Sequence, residues 1–206
     1  MPLDNPTLYA LWLAAYLIGS VPSGLLLARR FGGVDVRRRG SGNIGATNVA
    51  RVAGAGLGAA TLAADLFKGW LPVFLAHRVA PAEPAGALVA ALLVVLGHLF
   101  PAFTRLREGG KGVATAAGSF LVLAPGAVAA GGAVFALVFA AGRRVSAASL
   151  AAALTLPAAA WWSGRPSIVW AGAGVITVLI VWRHAGNIRR LLAGTEPRFR
   201  AGPPSG

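Results

Sequence analysis

Residues 113–141 read VATAAGSFLVLAPGAVAAGGAVFALVFAA, and how this run is divided decides the fold. A helix needs about 20 apolar residues to cross a bilayer. The run is long for one crossing and short for two. Pro125-Gly126 stands near its middle, and that dipeptide is a strong turn signal. We therefore read two short helices, 113–123 and 126–141, forming a hairpin. Outward from it, apolar runs at 7–28, 52–76, 85–103, 145–162 and 167–182 each suit one span. Gly19 and Pro22 are expected to bend the first, and Asp65 and Lys68 interrupt the second. The sum is seven crossings.

Charge tests that parity. With the N-terminus outside, only Arg78 and Arg165 of the 19 basic residues fall outside, and Lys68 lies within a span. All the others fall inside, a strong positive-inside bias. Were 113–141 a single crossing, Arg143, Arg144 and the tail would lie outside and the bias would collapse. The predicted fold is thus an all-α integral membrane protein of one polytopic domain, residues 1–206. It has seven transmembrane helices, the N-terminus outside, a short central hairpin and a polar cytoplasmic tail at 183–206.

Composition agrees. The chain is 56% hydrophobic and only 12% charged, with mean hydropathy +0.69, where a soluble domain carries about 25% charged residues. Its net charge of +13 would suggest nucleic acid in a soluble protein. Here the basic residues sit in loops between apolar runs, so topology and anionic lipid or phosphate explain them, and no nucleic acid is expected. With no cysteine, and with His77, His98 and His184 far apart, no metal site or cofactor is expected. The start lacks a basic n-region and carries Asp4, so it is read as the first span rather than a signal peptide. The tryptophans fall mostly near span ends, as an interfacial belt would place them.

Three polar segments fall on the same face. The first, Gly40 to Arg51, concentrates Ser41, Asn43, Thr47 and Asn48 with Gly40, Gly42 and Gly45. Glycines admit close backbone approach to an anion, and Ala46 to Arg51 would open the second span with its amides aimed at that anion. Arg37 to Arg39 read as topogenic. The second segment holds His98, then Gly109-Gly110-Lys111-Gly112 before a helix. It is not a Walker A loop, because Leu106 and Gly112 occupy positions that motif assigns otherwise. Lys111 is expected to meet a phosphate as a point charge. His98 is read either as a buried hydrogen-bonding residue or as a substrate contact. The third is the tail, where His184 and Asn187 at i, i+3 share a helix face. Asp65 and Lys68, also i, i+3, are read as a structural ion pair or a contact to the loops, since intramembrane charges are costly and pair. No GxSxG elbow, no His-x4-Asp pair and no paired carboxylates occur, so the chemistry rests on donors and cations.

Together, residues 40–51, 97–101 with 109–115, and 184–196 resemble the PlsY family, as do Gly19 to Gly24 and Asp65 to Gly69. Five motifs in order make this resemblance specific. Ile44 departs from the proline common in the first motif. Glu108 is extra, standing where the family often has a basic residue. The resemblance implies a bacterial acyl-phosphate:glycerol-3-phosphate acyltransferase of the cell inner membrane, its active site facing the cytoplasm. Such an enzyme moves a fatty acyl group from acyl phosphate to the sn-1 hydroxyl of glycerol 3-phosphate, giving lysophosphatidic acid and phosphate in phospholipid synthesis. By similarity, Ser41, Arg51, Lys111, His184 and Asn187 match the active-site positions, and Glu196 matches a structural one. Gly40, Gly42, Asn43, Gly45, Thr47, Asn48, His98, Gly109, Gly110 and Gly112 are expected to contact substrate. The expected partners are glycerol 3-phosphate, acyl phosphate and membrane lipid, and the oligomeric state stays open, a monomer included. Two competing readings remain at this point. One is a transporter of a phosphorylated anion, disfavoured because the polar groups lie at one face and no repeat is evident. The other is an acyltransferase using acyl-CoA or acyl-carrier protein.

Overall fold

The computed structural model describes residues 5–200. Met1 to Asp4 and the last six residues of the expected tail lie outside that range. Among the described residues every regular element is helical.

Proline and glycine punctuate the chain. Pro6 opens α1 (Pro6–Ser20), whose first turn is capped by the Asn5 side chain accepting from the Thr7 N–H at 2.9 Å. Pro22 breaks the expected first span, so α2 (Ser23–Gly32) continues at 43° to α1. Beyond the loop come α3 (Ala46–Ala53), α4 (Ala55–Val79) and α5 (Pro84–Leu99), then α6 (Val113–Leu123) and α7 (Pro125–Gly142). The last three are α8 (Val145–Trp162), α9 (Ser167–Arg183) and α10 (Ala185–Leu192).

Two expectations are corrected. Ala46 to Arg51 does not open the second span: Gly54, at φ 97°, separates α3 from α4, so that span starts at Ala55 rather than residue 52. The run does divide into two helices, but their junction is Ala124. Pro125 takes the first position of α7, where its missing N–H leaves no bond unmade, and Gly126 lies inside the helix. The tail begins as a helix, as the His184–Asn187 spacing implies, and α10 turns off α9 at 63°.

Among the described residues four helices are long and apolar enough to cross a membrane, or up to six if each bent pair counts as one span. α6 is a shorter apolar helix of 11 residues. α1 packs against α5, α4 against α6, and α7 against α8, which in turn meets α9. The core between them holds Leu8, Val94, Leu99, Phe120, Ile176 and Ile180. Helices approach closely where residues are small, as membrane interfaces require: a Cβ on Gly118 would strike the Leu66 carbonyl. Large apolar side chains face outward instead, among them Leu13, Leu137, Val178 and Trp162. Trp12 is not simply interfacial, since its indole N–H donates to the Gly86 carbonyl at 2.9 Å and ties α1 to α5.

Candidate active site

The first wall is the loop before α3. Asn48 is buried and holds this loop from within. Its Oδ1 accepts from the Ser41 N–H at 2.9 Å, and its Nδ2 donates to the carbonyls of Val36, Arg39 and Asn43 at 2.9–3.1 Å. Expected among the substrate contacts, Asn48 thus commits its amide to the loop. Asn43 Oδ1 accepts from the Gly45 N–H at 2.9 Å. Ser41 is left exposed and Arg51 half-buried in the last turn of α3. Among the described residues no hydrogen bond or ion pair engages the Arg51 guanidinium.

Arg37 is more than topogenic. It pairs with Asp35 at 2.7 Å and with Glu108 of the second loop, while Arg29 reaches Asp35 at 2.6 Å. The Arg37 hydrogen bond holds the Asp35 carboxyl well below the usual carboxylate range. Glu108 is therefore a clasp between the two loops.

The second wall is the loop before α6. Gly110 N–H donates to the His98 carbonyl at 3.0 Å. Arg183 grips the other side: Nη2 donates to the Gly109 carbonyl at 2.6 Å and Nε to the Gly110 carbonyl at 3.1 Å. Peptide planes are rigid and trans, so fixing these carbonyls turns the next N–H, that of Lys111, to the opposite side. Gly110 sits directly on the His98 ring, with no room for a Cβ against Nε2. His98 in turn lies 3.8 Å from Asp65, which pairs with Lys68 at 2.8 Å; Lys68 Nζ also donates to the Val21 carbonyl at the α1–α2 break at 3.0 Å. The expected Asp65–Lys68 pair is formed, and it braces the helix break.

The third wall is the α9–α10 bend. His184 Nδ1 lies 2.8 Å from the Ile180 carbonyl, which only accepts, so the proton is on Nδ1 and Nε2 keeps its lone pair. Lys111 Nζ donates to Asn187 Oδ1 at 2.6 Å, and Asn187 Nδ2 donates to Glu196 Oε1 at 2.6 Å. Ser146 donates to the same oxygen at 2.6 Å, and Arg190 Nε to Oε2 at 2.7 Å. Burial pushes the Glu196 carboxyl up, but these three hydrogen bonds outweigh it and hold it below its ordinary value. Burial lowers Lys111 to about 8. Burial, then the charge of Lys111, lowers His184 to about 4.

One cavity of about 1010 Å³ joins the three walls. Gly40, Ser41, Asn43, Gly45, Thr47, Asn48, Arg51, Asp65, His98, Lys111, Gly112, His184, Asn187 and Glu196 line it. Gly42, Gly109, Gly110 and Lys68 do not; the glycine pair supports the wall from behind. The cavity extends between α4, α6, α7 and α8 over Leu62, Leu66, Val128, Phe135 and Leu156. Arg183, Ser146 and Arg190 are site residues that the sequence reading does not single out. For Arg183 the only signal was its place beside His184, and its charge was absorbed into the topology count.

Replacing Glu196 by alanine leaves Asn187, Ser146 and Arg190 without their acceptor. The expected cost is about 1–3 kcal/mol of stability with roughly tenfold lower turnover, read from thermal unfolding and initial rates. Unchanged melting would show that the hub does not hold the tail.

Residues 9–194 match the family model described as Glycerol-3-phosphate acyltransferase. The chain is 49% identical over 191 residues to a glycerol-3-phosphate acyltransferase of Myxococcus xanthus, covering 92% of this chain and 98% of that one. It is 46% identical over 194 residues to one from Syntrophotalea carbinolica, covering 94% and 98%. It also resembles the crystal structure of PlsY, an integral membrane glycerol 3-phosphate acyltransferase, in its glycerol 3-phosphate form. That match has TM-score 0.90 and 38% identity over 94% of this chain and 96% of the other. The lysophosphatidic acid form of PlsY matches with TM-score 0.88 at 37% identity, over 94% and 96%.

Proposed function

Because the chain belongs to the glycerol-3-phosphate acyltransferase family, an integral membrane acyltransferase family of phospholipid synthesis, we propose that it uses acyl phosphate as donor and acylates the sn-1 hydroxyl. The products are lysophosphatidic acid and phosphate. The observation that carries this reading is the two-part cavity. Its mouth gathers Ser41, Arg51, Lys111, His184 and Asn187, and its remainder is an apolar slot between helices. Such a shape suits a phosphate at one end and an acyl chain at the other. We place the mouth on the cytoplasmic face of the inner membrane, in a single polytopic domain of seven crossings with the N-terminus outside.

Arg51 and Lys111 hold the two phosphorylated substrates, with Ser41 and Asn187 as hydrogen-bonding partners and Asn43, Thr47 and the loop glycines around them. The sn-1 oxygen attacks the acyl carbonyl carbon, the carbon–oxygen bond to phosphate breaks, and phosphate leaves. The hydroxyl proton passes to a phosphate oxygen of the donor. His184, at about 4, is neutral near pH 7 but a weak base, so its Nε2 orients the hydroxyl rather than taking the proton. Catalysis is then proximity and electrostatic stabilisation, with no cofactor or metal.

Purified protein is to be offered glycerol 3-phosphate with acyl phosphate, acyl-CoA or acyl-carrier protein. Lysophosphatidic acid is expected from acyl phosphate alone, and equal product from acyl-CoA would overturn the donor. His184→Asn should lower kcat about tenfold or more while leaving the acid limb of its pH–rate profile in place. Loss of that limb would make His184 the base.

Lys111 adds a pH dependence. An anion binds its protonated form, and that form declines as pH rises through about 8. KM for the phosphorylated substrate is expected to climb toward tenfold per pH unit above that point. A flat KM to pH 9.5 would remove Lys111 from substrate binding.

A further inference from the structure

A second cavity, of about 620 Å³, lies between α2 and the loop after α5, and the transfer reaction has no use for it. Its floor is apolar: Val21, Pro22, Leu25, Leu26 and Phe103. Pro22, Leu25, Leu26 and Arg29 follow one stripe of α2, so the floor runs for about 10 Å along that helix. Arginines ring the polar end, at 29, 37, 105 and 107, together with Glu108. Asp35 engages the first two, and Glu108 engages Arg37. Arg105 and Arg107 have no acidic partner among the described residues, so the rim is net positive. Between them Leu106 is 54% exposed, and Phe103 is 63% exposed. Arg105 (φ 53°) and Leu106 (φ 63°) both adopt left-handed backbone, a strained choice for side chains other than glycine.

We infer that this groove binds an anionic phospholipid of the surrounding bilayer, with part of an acyl chain on the floor and the phosphate at Arg105 and Arg107. A free phosphate ester would leave the floor uncovered. A zwitterionic lipid offers no net charge to the rim. Apolar side chains beside arginines at the end of a span belong at headgroup depth, where basic residues attract anionic lipid. The loop runs on into Gly109-Gly110, so the bound headgroup bears on the wall of the first cavity.

The test equilibrates the purified protein with mixed phosphatidylglycerol and phosphatidylcholine, then quantifies retained lipid by mass spectrometry. The unaltered protein should retain phosphatidylglycerol preferentially. R105Q/R107Q should lose that preference about tenfold, and R105K/R107K should keep it. R38Q/R39Q removes the same charge outside the groove and should also keep it. Equal loss in both glutamine pairs would reduce the effect to bulk attraction and overturn the site. So would equal retention of the two lipids by the unaltered protein, or failure of the lysine pair to keep the preference.

Discussion

Arg51→Lys is expected to lower kcat/KM for glycerol 3-phosphate about 100-fold or more, with little change in thermal stability. The side chain projects from the last turn of α3 into the cavity mouth, and within the described residues it supports no other group. Its loss therefore removes little from the fold. Lysine keeps the charge but offers a point ammonium in place of a planar fork, so a two-point phosphate contact becomes one. Losing one well-placed donor to a developing anion costs about 10²–10³ in rate. Steady-state kinetics on the lysine and alanine variants checks this. Near-normal turnover in Arg51→Lys would exclude the bidentate role, and a large fall in melting temperature would make Arg51 structural.

Gly110→Ala should be comparably damaging for a different reason. The added methyl meets the His98 ring, which is buried and cannot swing away. The loop must move instead, breaking the Gly110 bond to the His98 carbonyl or the Arg183 grip on the two glycine carbonyls. Overpacking of this kind costs about 1–3 kcal/mol, and Lys111 is the next residue, so activity should drop about 100-fold. The double variant Gly110→Ala with His98→Ala provides the discriminating measurement, because removing the ring makes space for the methyl. Partial recovery of activity in the double variant is expected. If the double variant is worse than either single one, His98 contributes more than bulk, and the packing account fails.

These expectations differ in how far the chain alone supports them. Arg51 and Lys111 stood out because arginine and lysine beside glycines and hydroxyls are unusual in a chain this apolar. The sequence leaves His98 between two readings, and its position under Gly110 depends on how the end of α5 meets a loop eleven residues on. Glu108 looked like a departure from its family. Its partner Arg37 lies in a different loop, and no spacing rule connects them. The sequence reads Asn48 as a substrate contact because amides bind phosphates, yet from the first turn of α3 it satisfies three carbonyls and an N–H of the preceding loop.

By itself, the sequence determined the membrane class, the existence and approximate limits of the apolar helices, the bend at Pro22 and the helix break near Pro125. These follow from local constraints: a chain in lipid must satisfy its own backbone, and proline and glycine interrupt it where they stand. Only the tertiary structure decided that Asn48 serves the loop, that Arg183 clamps the glycine pair and that Glu196 gathers Asn187, Ser146 and Arg190. Those partners lie from 5 to 74 positions apart. Which of them meet is set by helix packing and side-chain direction, and a one-dimensional pattern carries neither.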